Sequence, residues 1–106
     1  MRVVALRAHG GLEQLKLEEW PQPEPQEGHA LLEIKACGIN YMDVFVMQGM
    51  PGVPTEMPRI PGGDIAGIVR GVGAGVPEDW IGKRVVLFPR FPTGGVLGEN
   101  GNGGLC

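Results

Sequence analysis

Little in this chain suits it to nucleic acid, to a membrane or to a cysteine framework. Nine Lys and Arg stand against twelve Asp and Glu, a net charge of −3. The basic residues form no cluster or stripe, so no nucleic-acid partner is expected. Cysteine occurs twice in 106 residues, at Cys37 and Cys106. Two distant thiols cannot build a four-cysteine zinc site, and they fit a reduced, cytoplasmic setting. No apolar run approaches the length of a bilayer span, and the N-terminus lacks the charged-then-apolar order of a signal peptide, so no membrane partner is expected either. The only histidines, His9 and His29, each stand beside glycine in turn-like contexts. They read as solvated loop residues rather than ligands.

What is abundant is glycine and proline, nineteen and ten residues. In a polar chain that richness would mean disorder. Here 42% of the residues are hydrophobic and fall in alternating runs, so Gly and Pro read as the turn residues of a mainly β fold. At this length the chain holds one domain.

Five stretches have strand character. Val3, Val4 and Leu6 open a run that stops at Gly10-Gly11. Leu15 and Leu17 alternate with Lys16 and Glu18, the period of a half-buried strand. Residues 30–39 place Leu32, Ile34 and Ala36 on one face, residues 65–73 alternate and then turn, and residues 83–89 form a further run. Between the second and third lies PQPEPQEGH, whose three prolines in five residues make it an exposed extended connector. MPGVPTEMPRIPGGD reads as a long surface loop for the same reason. The glycine-rich end, TGGVLGENGNGGLC, stops where another strand is expected, so the sequence reads as cut short.

Only Asn40 to Gln48 reads as a helix. Asn40 suits the N-cap, accepting from the N–H of the third helical residue, Asp43, which can reach back as in a capping box. The Asp43 charge also favours the positive end of the helix dipole. Gly49 suits a left-handed stop.

Two glycine-rich stretches invite a phosphate-binding reading and fail it. Gly71, Gly73 and Gly75 lack the third glycine of the dinucleotide fingerprint, which would fall at Val76, and Pro77 follows where a helix should begin. A tight turn between strands is the better reading. GENGNGG has no Lys-Ser/Thr pair after it and is no P-loop.

The order ACGINYMDVFVMQG, PRIPGGDIAGIVRGVGAGV, IGKRVVLFP resembles the N-terminal, GroES-like domain of the medium-chain dehydrogenase/reductase superfamily. That resemblance implies a partly open β-barrel with one short helix, occupying residues 1–106, with a cofactor-binding Rossmann domain to follow. In the zinc-dependent alcohol dehydrogenases of this superfamily a Cys-His pair stands where this chain has Asn40 and Tyr41. Their Gly-His-Glu corresponds to Gly62, Gly63 and Asp64. An amide is a poor zinc donor and glycine is none, so no metal site is expected. Cys37 lies three residues before the matching position, and where the four-cysteine zinc lobe should follow the chain keeps only Cys106, which falls in the strand after the lobe.

The pattern resembles instead the zinc-independent quinone oxidoreductases, zeta-crystallin-like proteins that carry Asn at the position of Asn40. What the resemblance implies is reduction of a quinone or an α,β-unsaturated carbonyl by NADPH, in a homodimeric or homotetrameric parent protein. The fragment alone would be inactive. Asn40 would contact the cofactor or substrate as well as cap the helix, and cap-only is the bland reading. Tyr41 would offer a phenol proton or a stacking ring, although a Tyr there is more often core. Phe45, sharing its helical face, lines the substrate pocket or belongs to the barrel core. A zinc alcohol dehydrogenase is disfavoured by Asn40 and Gly63. A co-chaperonin-like binding module is disfavoured by a polar, proline-stiffened early loop, PQPEPQEG.

Overall fold

The computed structural model describes residues 1–92, 94–98 and 102–106. Among these residues the strands are β1 (Arg2–Leu6), β2 (Leu15–Glu19), β3 (Ala30–Gly38), β4 (Asp64–Val72), β5 (Arg84–Val86), β6 (Arg90–Phe91) and β7 (Gly95–Val96), with a single α-helix, α1 (Tyr41–Gln48), after β3. All five expected strands and the helix are present, and the fold is mainly β. β6 and β7, a two-stranded pair that leads into the glycine-rich end, were not expected. The GENGNGG reading falls in part on residues 99–101, outside the described residues.

β1 and β2 form one antiparallel pair, and β3-β4-β5 form a separate antiparallel sheet. These sheets do not close into a barrel. Alternation is clean where both neighbours demand it: Ile65, Gly67 and Val69 of β4 are buried while the residues between them are not. In β3 the expected face is broken. Its register against β4 shifts between Leu31 and Leu32 and again between Ile34 and Ala36. Each bulge re-aims the residues beyond it, so Leu32 and Ile34 are half-buried while Ala36 is exposed. Leu17 is 69% exposed, because the pair β1-β2 buries its apolar residues mainly through β1.

Two small cores result. Val3, Ala5 and Ile60 pack together with Trp20 and Leu105. Leu6, Val46 and Met47 pack with Leu15, Val44, Met50 and Met57, which fixes α1 to the end of β1. His9 takes part in that fixing rather than standing free in a loop. Its Nδ1 lies 3.0 Å from the Val46 carbonyl in the last turn of α1. His29 does stay at the surface, against the Glu27 carbonyl. Gly49 does end α1 with a positive φ of 93°, but its ψ of 127° is extended rather than left-handed helical.

The proline-rich stretch after α1 is irregular as expected, yet its far end is not surface. Arg59, Ile60, Pro61 and Gly62 are all buried, and Leu6 and Arg59 exchange both backbone bonds, at 2.7 and 2.8 Å. A strap formed by residues 102–105 holds the other side. Asn102 Oδ1 accepts the Ile60 N–H at 3.1 Å. Gly103, Gly104 and Leu105 donate to the carbonyls of Ile60, Gly62 and Pro61, and Leu105 in turn accepts from Val4. The segment 59–62 is therefore clamped between β1 and the strap, which sets the head of β4.

Candidate functional site

β3 ends at Gly38, directly paired with Asp64 at the start of β4. The chain leaves β3 through exposed Ile39 and turns into α1 at Asn40. This brings the β3–α1 joint and the Gly62-Gly63-Asp64 corner side by side.

Asn40 has the extended backbone of an N-cap, φ −139° and ψ 178°. Its Oδ1 accepts the Met42 N–H at 2.9 Å, and the side chain also accepts from the Asp43 backbone, as the expected capping box requires. Asp43 closes the capping box by accepting the Asn40 N–H on Oδ2 at 2.9 Å. The other face of the amide leaves the helix: Asn40 Nδ2 donates to Asp64 Oδ2 at 2.9 Å. The other carboxylate oxygen of Asp43 leaves it too, accepting the Gly62 N–H at 2.8 Å. Two side chains thus join the helix N-terminus to the β4 corner by two separate hydrogen bonds. Gly62 is fitted to this place, since its φ of 95° is one that L side chains rarely adopt.

The aromatic residues sit above this network. Tyr41 is 80% exposed and Phe45 48% exposed, and their rings stack with centroids 6.4 Å apart and planes inclined by 28°. The core reading fails for both, because α1 turns Val46 and Met47 inward instead. What remains is a solvent-facing aromatic pair beside Asn40.

As a metal site the corner is poor. The Asn40 oxygen is engaged by the helix, Gly63 offers no donor, and Asp64 already accepts from Asn40. No group of three or more His, Cys, Asp or Glu able to hold a metal ion occurs among the described residues. Neither does any helix among them have the length and apolarity to cross a membrane. The residues here do not fit zinc.

The site thus unites Asn40, Tyr41 and Phe45, the three residues singled out in the sequence. Sequence reasoning missed Asp64 as the partner of Asn40 and the second role of Asp43. Both contacts span about twenty residues, and only the order of the PGGD corner after the helix hinted at them.

Residues 26–105 match the alcohol dehydrogenase GroES-like domain. The mouse synaptic vesicle membrane protein VAT-1 homolog-like is 41% identical over 91 residues, covering 86% of this chain and 22% of that protein. Rat quinone oxidoreductase is 36% identical over 95 residues, covering 89% of this chain and 29% of that protein. The crystal structure of a putative alcohol dehydrogenase from Sinorhizobium meliloti 1021 superposes with a TM-score of 0.92 at 31% identity, over 99% of this chain and 36% of that one. The chain spans less than a third of the length of either of these curated relatives. It belongs to the alcohol dehydrogenase GroES-like domain family of the medium-chain dehydrogenases/reductases.

Proposed function

We infer that this chain is the N-terminal domain of a zinc-independent oxidoreductase that reduces quinones or α,β-unsaturated carbonyls at the expense of NADPH. The observation that carries the reading is the commitment of Asn40: its amide oxygen serves the helix and its nitrogen serves Asp64. With Gly63 beside it, the corner lacks the donors a metal would need to polarise a carbonyl. Similarity to rat quinone oxidoreductase supports the substrate class.

A nicotinamide cofactor, bound mainly by a further domain of the parent protein, would supply the hydride. The residues of this chain would supply orientation. Asn40, fixed from two directions, is a preorganised amide at the β3–α1 joint, where it would meet the cofactor or the substrate. Tyr41 and Phe45 present a stacked apolar surface against which a flat conjugated substrate can lie. Asp64 keeps the Asn40 nitrogen turned toward β4, and Asp43 holds the corner that carries Asp64.

The test uses the full-length parent, stripped of metal with a chelator and supplied with NADPH. Undiminished NADPH oxidation with a benzoquinone or an enone is expected, with no alcohol oxidation by NAD⁺ on adding zinc. One equivalent of tightly held zinc, with activity that depends on it, would overturn the reading in favour of a zinc alcohol dehydrogenase.

A further inference from the structure

The two cysteines, 69 positions apart in sequence, meet at one place in the fold. Cys37 lies on β3 and Cys106 directly follows the strap, and both line a cavity of about 450 Å³ walled by Val3, Val4, Leu17 and Ile34. Gly104 ties them together. A Cβ on Gly104 would stand 3.2 Å from Cys37 Sγ, and the Gly104 carbonyl accepts the Cys106 amide at 2.9 Å, folding that residue back over the glycine. Both thiols are free, with Cys106 the more exposed. Cys37 Sγ donates to the Gly38 carbonyl at 3.7 Å, a long bond that restrains it weakly, and it also interacts with the Gly104 backbone.

We propose that Cys37 and Cys106 are a dithiol that closes to an intramolecular disulfide across this cavity when a small-molecule disulfide supplies the oxidant. The Cys106 thiolate attacks one sulfur of the oxidant, forming a mixed disulfide and expelling one small thiolate. The Cys37 thiolate then attacks Cys106 Sγ and expels the second. The two protons lost by the cysteines go to the two leaving thiolates, so the small disulfide is reduced to two thiols as the protein pair is oxidised.

Burial pushes the Cys37 thiol up, with further pushes from Asp43 and from Cys106 itself. Burial pushes Cys106 up as well. At neutral pH both are therefore mainly protonated, and closure is slow and accelerates with rising pH. Closure has a structural consequence because Cys37 Sγ is also the nearest atom to the missing side chain of Gly62, 2.5 Å from where a Cβ would stand. The bond would pin the strap to β3 immediately behind the Asn40–Asp64 corner.

The experiment treats the whole chain with oxidised glutathione at mildly alkaline pH and maps unreduced proteolytic peptides by mass spectrometry. Wild type is expected to lose two hydrogens and yield a peptide containing Cys37 joined to one containing Cys106, in roughly tenfold excess over glutathione adducts because the second step is intramolecular. Cys37→Ser should instead accumulate a stable glutathione adduct on Cys106. Wild type accumulating that same adduct without the joined peptide would overturn the proposal, as would a link that forms only between chains and vanishes on dilution. Should Cys37→Ser fail to fold, wild type treated with phenylarsine oxide decides. Simultaneous loss of both thiols to one arsenic supports the pair, and independent or absent reaction refutes it.

Discussion

Asn40 Nδ2 and Asp64 Oδ2 lie 2.9 Å apart, so the amide that caps α1 also holds the first residue of β4. A side chain that only capped would need its oxygen alone. The second bond makes the orientation of Asn40 a property of the whole corner, and it can be separated from the cap by substitution.

Replacing Asn40 by Ser keeps an N-cap acceptor and removes the nitrogen. Because Ser caps nearly as well as Asn, stability should move by less than about 1 kcal/mol. Turnover of the full-length parent should fall at least about tenfold, somewhat less than the loss of a buried oxyanion donor. Steady-state kinetics beside a urea titration reads both. Wild-type turnover in the variant would leave Asn40 as a cap.

The parts legible in the sequence are those set by neighbours in sequence. Asn40, Asp43 and Gly49 mark the helix within ten residues, and the alternating apolar runs mark five strands. What escaped depends on distant packing. The strap has no periodic pattern to betray that its amides reach Ile60, Pro61 and Gly62. The exposure of Tyr41 and Phe45 follows from which face of α1 meets Leu6, a choice that a weakly amphipathic eight-residue helix does not announce. In β3 the bulges undo the alternation on which its face was assigned.

Gly62→Ala should destabilise the chain for two reasons that a second substitution can separate. The φ of 95° is strained for alanine, and the new methyl would fall 2.5 Å from Cys37 Sγ. Overpacking of this kind costs about 1–3 kcal/mol. Cys37→Ala removes the sulfur, so the double variant should recover that part of the steric cost and keep both the backbone strain and the tight approaches to Leu105 Cγ at 3.1 Å and Gly104 N at 3.3 Å. A coupling energy near zero in the double-mutant cycle would show that the sulfur simply moves aside.

Glu18 gives the acid limb of stability a specific origin. Arg7 Nε and Nη2 donate to its two oxygens at 2.7 and 2.8 Å, and Trp20 Nε1 donates at 2.8 Å. These bonds, led by Arg7 and then Trp20, lower its carboxyl from the usual 4.5 to about 2. A depressed folded-state value means that the stabilisation is full above the unfolded value. It is lost as pH falls from about 4.5 through about 2. Glu18→Gln should flatten melting temperature against pH in that window and lower it above. An unchanged acid limb would assign the loss to other carboxylates.

Asp43 carries the most structural consequence for its size, since its two oxygens receive the Asn40 and Gly62 N–H groups. Alanine there abandons both donors, but not equally. The Asn40 amide sits on an exposed joint where water can replace the carboxylate. The Gly62 bond is partly buried and Gly62 itself is buried, so its donor is the costly one to strand. Leaving such a donor unpaired costs about 1–3 kcal/mol. Asp43→Ala should therefore lower the urea midpoint at unchanged slope, and by more than Asn40→Ala, which loses a cap worth about 1 kcal/mol and an exposed bond to Asp64. Asp43→Asn retains one acceptor oxygen and should fall between the wild type and Asp43→Ala. An Asp43→Ala variant no less stable than Asn40→Ala would mean that the Gly62 bond contributes no more than the exposed Asn40–Asp64 bond and that the strap is what mainly holds the corner.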